Sequence, residues 1–169
     1  MMKEESEVSL CTVGGLLLFG KSPADKLPQH GVSFAHFNGL DITENLIDKK
    51  IIIGRLPDVA EQTLAVLKNN IKTSSAVEAA KRVEKEIYPD LVLREAVVNA
   101  LVHRNYSIVG SKIRIFMFHD RLEFRSPGRL PNTVTIEKMK VGVSYARNPF
   151  LVKYMENIRY IDQLGKGFP

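Results

Sequence analysis

Between Tyr88 and Ser107 the chain reads YPDLVLREAVVNALVHRNYS, with apolar side chains in almost every direction around a helical wheel. Leu91, Val98 and Val102 fall on one side, and Leu93, Val97, Ala100 and Leu101 on another. Pro89 suits a first helical position, and Asp90 suits the positive end of the helix dipole. No Gly or Pro follows until Gly110, so the pattern predicts a buried helix of about four turns. Elsewhere the patterns are shorter. Residues 12–19 predict a short helix, and Val32–Phe37 a strand. A second strand is expected at Lys50–Ile53, ended by Gly54. From Pro57 to about Asn70, the spacing of Val59, Thr63, Val66 and Leu67 predicts a helix. Ile113, Ile115 and Met117 alternate with Lys112, Arg114 and Phe116, so residues 112–126 predict a hairpin turning at His119–Arg121. A short helix is expected at 135–140. A last one starts at Pro149, with Asn148 as its N-cap, and runs to about Ile158.

Three polar residues, Glu95, Asn99 and His103, break the apolar helix at four-residue spacing and form one narrow stripe. Polar groups on a buried helix need partners, so the stripe is either an internal hydrogen-bond network or the wall of a ligand or metal site. Arg104 beside it reads either as a phosphate contact or as a charge favoured at a helix C-terminus, and His103 as a pocket residue or a backbone donor.

The segment REAVVNALVHRNYS resembles the signature helix of the ATPase domain that follows Schlafen-type AlbA modules, in proteins described as transcriptional regulators or RecG-related ATP-dependent DNA helicases. It also resembles the E-x-x-x-N box of the GHKL ATPases. That resemblance implies an α/β sandwich (α+β) of GHKL, or Bergerat, type. It implies ATP and Mg²⁺ as cofactors, with Asn99 as the metal ligand and Glu95 as the general base of a Mg-dependent hydrolysis. An amide oxygen suits a hard cation that keeps waters and phosphates as its other ligands, and a carboxylate one turn away can orient water.

Further segments extend the resemblance. Ser126-Pro127-Gly128-Arg129-Leu130-Pro131 corresponds to the family's S/N-P-G-G-L-P, at the place of the GHKL D-x-G-x-G adenine loop. Ser126 stands where the adenine-reading Asp would be, and Arg129 where the second family Gly sits. Ser144-Tyr145-Ala146-Arg147-Asn148-Pro149 is similar to S-x-x-R-N-P. The end, Gly165-Lys166-Gly167, resembles a G-x-G-I phosphate loop, so the chain is expected to stop inside the fold. The residues before Tyr88, 72–87, favour helix by composition but are extended in the family, and an extended form is the expectation taken. Residues 9–38 resemble the closing part of an AlbA-type Schlafen domain. The expected organisation is thus an AlbA remnant over 1–56 and a GHKL-like domain over 57–169.

Gly15-Leu16-Leu17-Leu18-Phe19-Gly20-Lys21-Ser22 also satisfies G-x-x-x-x-G-K-[ST]. A phosphate loop needs a buried strand before it and a helix after it. Four large apolar loop residues and the following Pro23 and Pro28 fit a packed helix better, so a P-loop helicase motor is not expected.

Composition narrows the rest. With 44% hydrophobic and 25% charged residues, the chain reads as a soluble globular protein. The single cysteine, Cys11, rules out an internal disulfide and suits a reducing cytoplasm. The acidic start MMKEESEV is not a signal peptide, and the run Leu16–Phe19 is too short for a bilayer. The net charge of +5 comes from residues 109–169, which hold eleven Lys/Arg and five Asp/Glu. That third can attract DNA or nucleotide phosphate, or can simply complement acidic surface elsewhere. Two functions remain open: a nucleotide-dependent, DNA-associated regulator, and a non-enzymatic DNA-binding or assembly module that kept the fold and lost the nucleotide.

Overall fold

The computed structural model describes residues 10–78, 88–129, 145–158 and 160. Helix α1 (Val13–Phe19) is followed by the single turn α2 (Pro23–Lys26), strands β1 (Val32–Phe37) and β2 (Leu46–Ile52), and the long helix α3 (Leu56–Glu78). Then come α4 (Asp90–Val102), β3 (Ile113–Met117), β4 (Leu122–Arg125) and α5 (Pro149–Asn157). The strands form one mixed sheet in the order β2-β1-β3-β4, with β1 parallel to β3 and the other pairs antiparallel. This mixed α/β arrangement is consistent with the ATPase-like fold class expected from the sequence.

Alternation decides which way each strand faces. Val32 and Phe34 of β1 and Ile113, Ile115 and Met117 of β3 are buried, while Ser33, Arg114 and Phe116 turn to the other face. The buried set joins Leu56, Val59, Ala60 and Leu67 of α3, Val97, Val98, Leu101 and Val102 of α4, and Leu151 and Met155 of α5 in one core. Leu17 and Leu18 of α1 belong to it too. The expected boundary at 56/57 falls just inside the start of α3, and the strands before and after it share this sheet and core.

The Gly15–Ser22 stretch is helical through Phe19. Thr12 caps α1 by accepting from the Gly15 N–H, and the Gly20 N–H donates to the Leu16 carbonyl. Its apolar residues Leu17 and Leu18 are core side chains rather than the walls of an anion cradle.

Several expectations need correction. Helix α3 does not end near Asn70. The Asn70 side-chain amide donates back to the Val66 carbonyl one turn earlier and to Asp48, so it supports the helix instead of stopping it. Residues 72–78, expected to be extended, continue α3. Their composition favours helix, and lengthening a formed helix adds about one hydrogen bond per residue fixed. Residues 79–87 lie outside the described residues, as does the helix expected at 135–140. Strand β2 begins four residues before the expected Lys50, because an edge strand tolerates the charged run Asp48-Lys49-Lys50. Helix α4 is buried on one side only, with Leu91 62% exposed. Asn148 makes no side-chain cap on α5.

One buried polar residue gives the fold a pH dependence. His30 has no exposed surface. Its Nε2 lies 2.8 Å from the Gly54 carbonyl oxygen, and its Nδ1 has no partner among the described residues. Burial holds its imidazole below the ordinary 6.5. Lys112 and Arg104 add to this, and the bond to Gly54 opposes it. The fold therefore prefers the neutral ring, and the unfolded chain binds the extra proton first as pH falls. Stability is kept above about pH 6.5 and falls below it. Urea midpoints at pH 7.5 and 5.5 should differ more for the native chain than for His30→Gln.

Candidate functional site

Glu95, Asn99 and His103 stand on α4 and its C-cap, each half-buried, spaced by about 6 Å of helix rise per step. Among the described residues neither the Glu95 nor the Asn99 side chain makes a hydrogen bond, so neither belongs to an internal network formed by those residues. The internal-network reading of the stripe therefore has no support there. Two cavities, of about 340 and 420 Å³, are lined by other residues: Ser33, Lys112 and Arg114 in the first, and Glu61, Arg94 and Tyr160 in the second.

The C-terminal end of α4 is where the sequence-predicted residues converge. The Ser126 hydroxyl donates to the Ala100 carbonyl at 2.9 Å, and the Asn105 N–H to the Pro127 carbonyl at 2.9 Å. These bonds lay the Ser126–Arg129 turn across the helix end. Gly128 has φ +134°, a conformation that favours glycine, and a Cβ there would also sit a tight 3.1 Å from the Asn105 Cβ. Arg129 is exposed, and its carbonyl accepts from the Arg147 guanidinium. Arg147 also lowers the His103 pKa, second to burial. A neutral His103 ring can accept a hydrogen bond as well as donate one.

Arg104 stands apart from this cluster. It is fully buried and turned inward, with Nη1 donating to the Asn105 carbonyl (2.7 Å) and Nη2 to those of Ile108 (2.9 Å) and Ser111 (2.7 Å). Its guanidinium also lies 5.0 Å from the Tyr106 ring centroid. Three donations thus go to backbone carbonyls, and its Nε–H is buried without a partner among the described residues. The cofactor-binding role expected for Arg104 is replaced by the pinning of the 105–111 loop.

Asn148 lies in the same region. Its amide donates to the Val102 and Arg104 carbonyls at 2.7 and 2.9 Å, satisfying acceptors that a helix end leaves open. Arg147, next to it in the chain, is close enough to His103 to act on it electrostatically. Arg147 is the residue that sequence reasoning missed, and its only signal was a lone arginine in the S-x-x-R-N-P stretch. Gly165 and Gly167 lie outside the described residues.

The donor set suits a nucleotide-bound Mg²⁺ better than a metal held by protein alone. Among the described residues no group of three or more His, Cys, Asp or Glu could hold a metal, whereas one amide with phosphates and waters meets the usual demands of Mg²⁺. The Ser126 oxygen keeps lone pairs free after donating to Ala100, so it can still accept from an amino group.

Comparison with known proteins agrees in class. Residues 110–169 match a family model described as "Putative ATP-dependent DNA helicase recG C-terminal". The crystal structure of the DIP2311 protein from Corynebacterium diphtheriae superimposes with a TM-score of 0.63 at 22% identity, over 90% of this chain and 28% of that one. That likeness shows a shared fold, and this chain spans little more than a quarter of that protein's length. No curated protein matches. No helix among the described residues is long and apolar enough to cross a membrane. The C-terminal part of the chain is therefore similar to an ATPase-like domain related to RecG C-termini.

Proposed function

We propose that the chain is a GHKL-like nucleotide-binding domain of a cytoplasmic, DNA-associated transcriptional regulator, holding Mg·ATP weakly. The observation that carries this reading is the Glu95–Asn99 pair. It is half-buried on α4, without hydrogen-bond partners among the described residues, and leads into the Ser126–Arg129 turn. The family match over 110–169 supports it. In this reading Asn99 supplies the metal ligand and Glu95 orients water for any hydrolysis. His103, Ser126, Gly128 and Arg129 line the nucleotide, and Gly165 and Gly167 approach its phosphates. Bound Mg²⁺ would neutralise phosphate charge. The basic C-terminal third would face DNA. The AlbA-like character of residues 1–56 is, on this reading, one of sequence ancestry.

Ser126 in place of Asp sets the affinity. Losing a charge-assisted hydrogen bond costs about 1.5–3 kcal/mol, on the order of tenfold to a hundredfold in affinity. Arg129 and Arg147 can offset part of this by meeting phosphate. Calorimetric titration should find weak binding that requires Mg²⁺ and is lost in Asn99→Ala. The second reading, a module without nucleotide, rests on Ser126 standing where the adenine-reading Asp would be and Arg129 where the second family Gly sits. A flat titration at millimolar Mg·ATP would select it.

A further inference from the structure

We infer that β2 is a homodimerisation edge, at which two copies of the chain join their sheets through antiparallel β2 strands. In the order β2-β1-β3-β4, β2 is an edge, and among the described residues no strand pairs with its outer side. Edge strands are usually blunted by charge, proline or a covering loop. This one carries charge at its centre, Asp48-Lys49-Lys50, and exposed aliphatic residues on both sides of it. Leu46, Ile47 and Ile51, with the flanking Leu40, Ile42 and Ile53, are each between 50% and 61% exposed. Six such side chains within fourteen residues are more exposed aliphatic surface than an edge usually carries.

The sequence of the strand identifies its occupant. LIDKKII is self-complementary when two copies run antiparallel about a two-fold axis at Lys49. Ile47 then meets Ile51 of the second copy and Asp48 meets Lys50, each pair occurring twice, while the bulge beside Ile47 turns Leu46 to the face opposite Ile52. Directly opposite residues share a face, where apolar and opposite-charge pairs are favourable. Asp48 and Lys50 already lie on one face, at a loose 3.9 Å with the Lys50 side chain 52% exposed, so the ammonium is free to reach across. The one unfavourable pair, Lys49 with its own copy, consists of exposed side chains that can diverge into solvent. The register irregularity opposite His36/Phe37 falls near Ile47, leaving Asp48 to Ile52 regularly paired with β1. A two-fold axis makes such an interface closed, so it yields a dimer rather than a fibre.

Sedimentation equilibrium on the 169-residue chain tests this, together with hydrogen exchange at low and high concentration. The mass should rise with concentration from 19.0 kDa to twice that value, and the β2 amides should gain protection as it does. Asp48→Lys and Lys50→Asp should each weaken self-association about tenfold or more, by placing like charges opposite one another. Mixed together, the two variants should associate as a heterodimer. Asp48 also accepts from Asn70, so Asp48→Lys can loosen the fold. Ile51→Lys, at an exposed position, gives the same loss of dimer without touching that bond. A chain that stays monomeric at all concentrations would overturn the inference. So would a dimer whose β2 amides gain no protection, or one that Ile51→Lys leaves intact.

Discussion

Arg104→Met should lower the free energy of unfolding by about 3 kcal/mol, the largest effect expected of any single exchange around the site. Arg104 donates three hydrogen bonds to the carbonyls of Asn105, Ile108 and Ser111, and no part of it reaches solvent. Bonds from a charged donor contribute roughly 1.5–3 kcal/mol each. Two terms reduce the sum. Burial of the guanidinium is itself costly and pulls its pKa down, and the exposed Ile108 end of the loop can rehydrate. Methionine fills the volume but leaves the carbonyls without donors. Arg104→Lys should fall in between, since a point charge cannot span three acceptors arranged around a planar fork. Urea unfolding measures both. A change below about 1 kcal/mol for methionine would mean that water replaces the guanidinium and that the loop needs no pin.

Asn148→Ala should cost about 2 kcal/mol and alter the site as well as the fold. Its two amide hydrogens satisfy the Val102 and Arg104 carbonyls, and an unsatisfied buried acceptor costs about 1–3 kcal/mol. Arg147, next to Asn148 in the chain, acts on His103 electrostatically. Without the Asn148 contact, the His103 imidazole, held low by burial and by Arg147, should titrate closer to the ordinary histidine range. Asn148→Asp should be worse than alanine, because a carboxylate would face two carbonyl oxygens. NMR titration of His103 separates this role from simple stability loss. A variant that loses stability while His103 titrates unchanged would show that Asn148 does not position Arg147.

These two residues also show where the sequence stops being readable. Asn148 followed by Pro149 has the local form of a helix cap, yet its amide is drawn to carbonyls 44 and 46 residues away. Arg104 has the composition of a surface charge, and only the folded loop supplies the three carbonyls that bury it. In contrast, β3 was legible because one face is covered, so its alternation follows burial. Strand β2 was half hidden because the described residues cover neither its outer edge nor its open face, and the Asp48-Lys49-Lys50 run masks its period. The length of helix α3 was hidden because the family resemblance makes the segment before Tyr88 extended, whereas the helix-favouring composition of residues 72–78 prevails. The Glu95–Asn99–His103 stripe was legible from spacing alone. Its neighbours Ser126 and Arg147 reach it only through the turn and helix that fold back onto the end of α4.

The most direct test of the Glu95–Asn99 site is to replace Mg²⁺ by paramagnetic Mn²⁺ and follow backbone amide signals as Mn·ATP is added at millimolar concentration. The account predicts selective broadening of residues 95–103 and 126–128, absent in Asn99→Ala. Broadening centred instead on the Lys112–Arg114 or Glu61–Tyr160 cavities, or none at all, would contradict it.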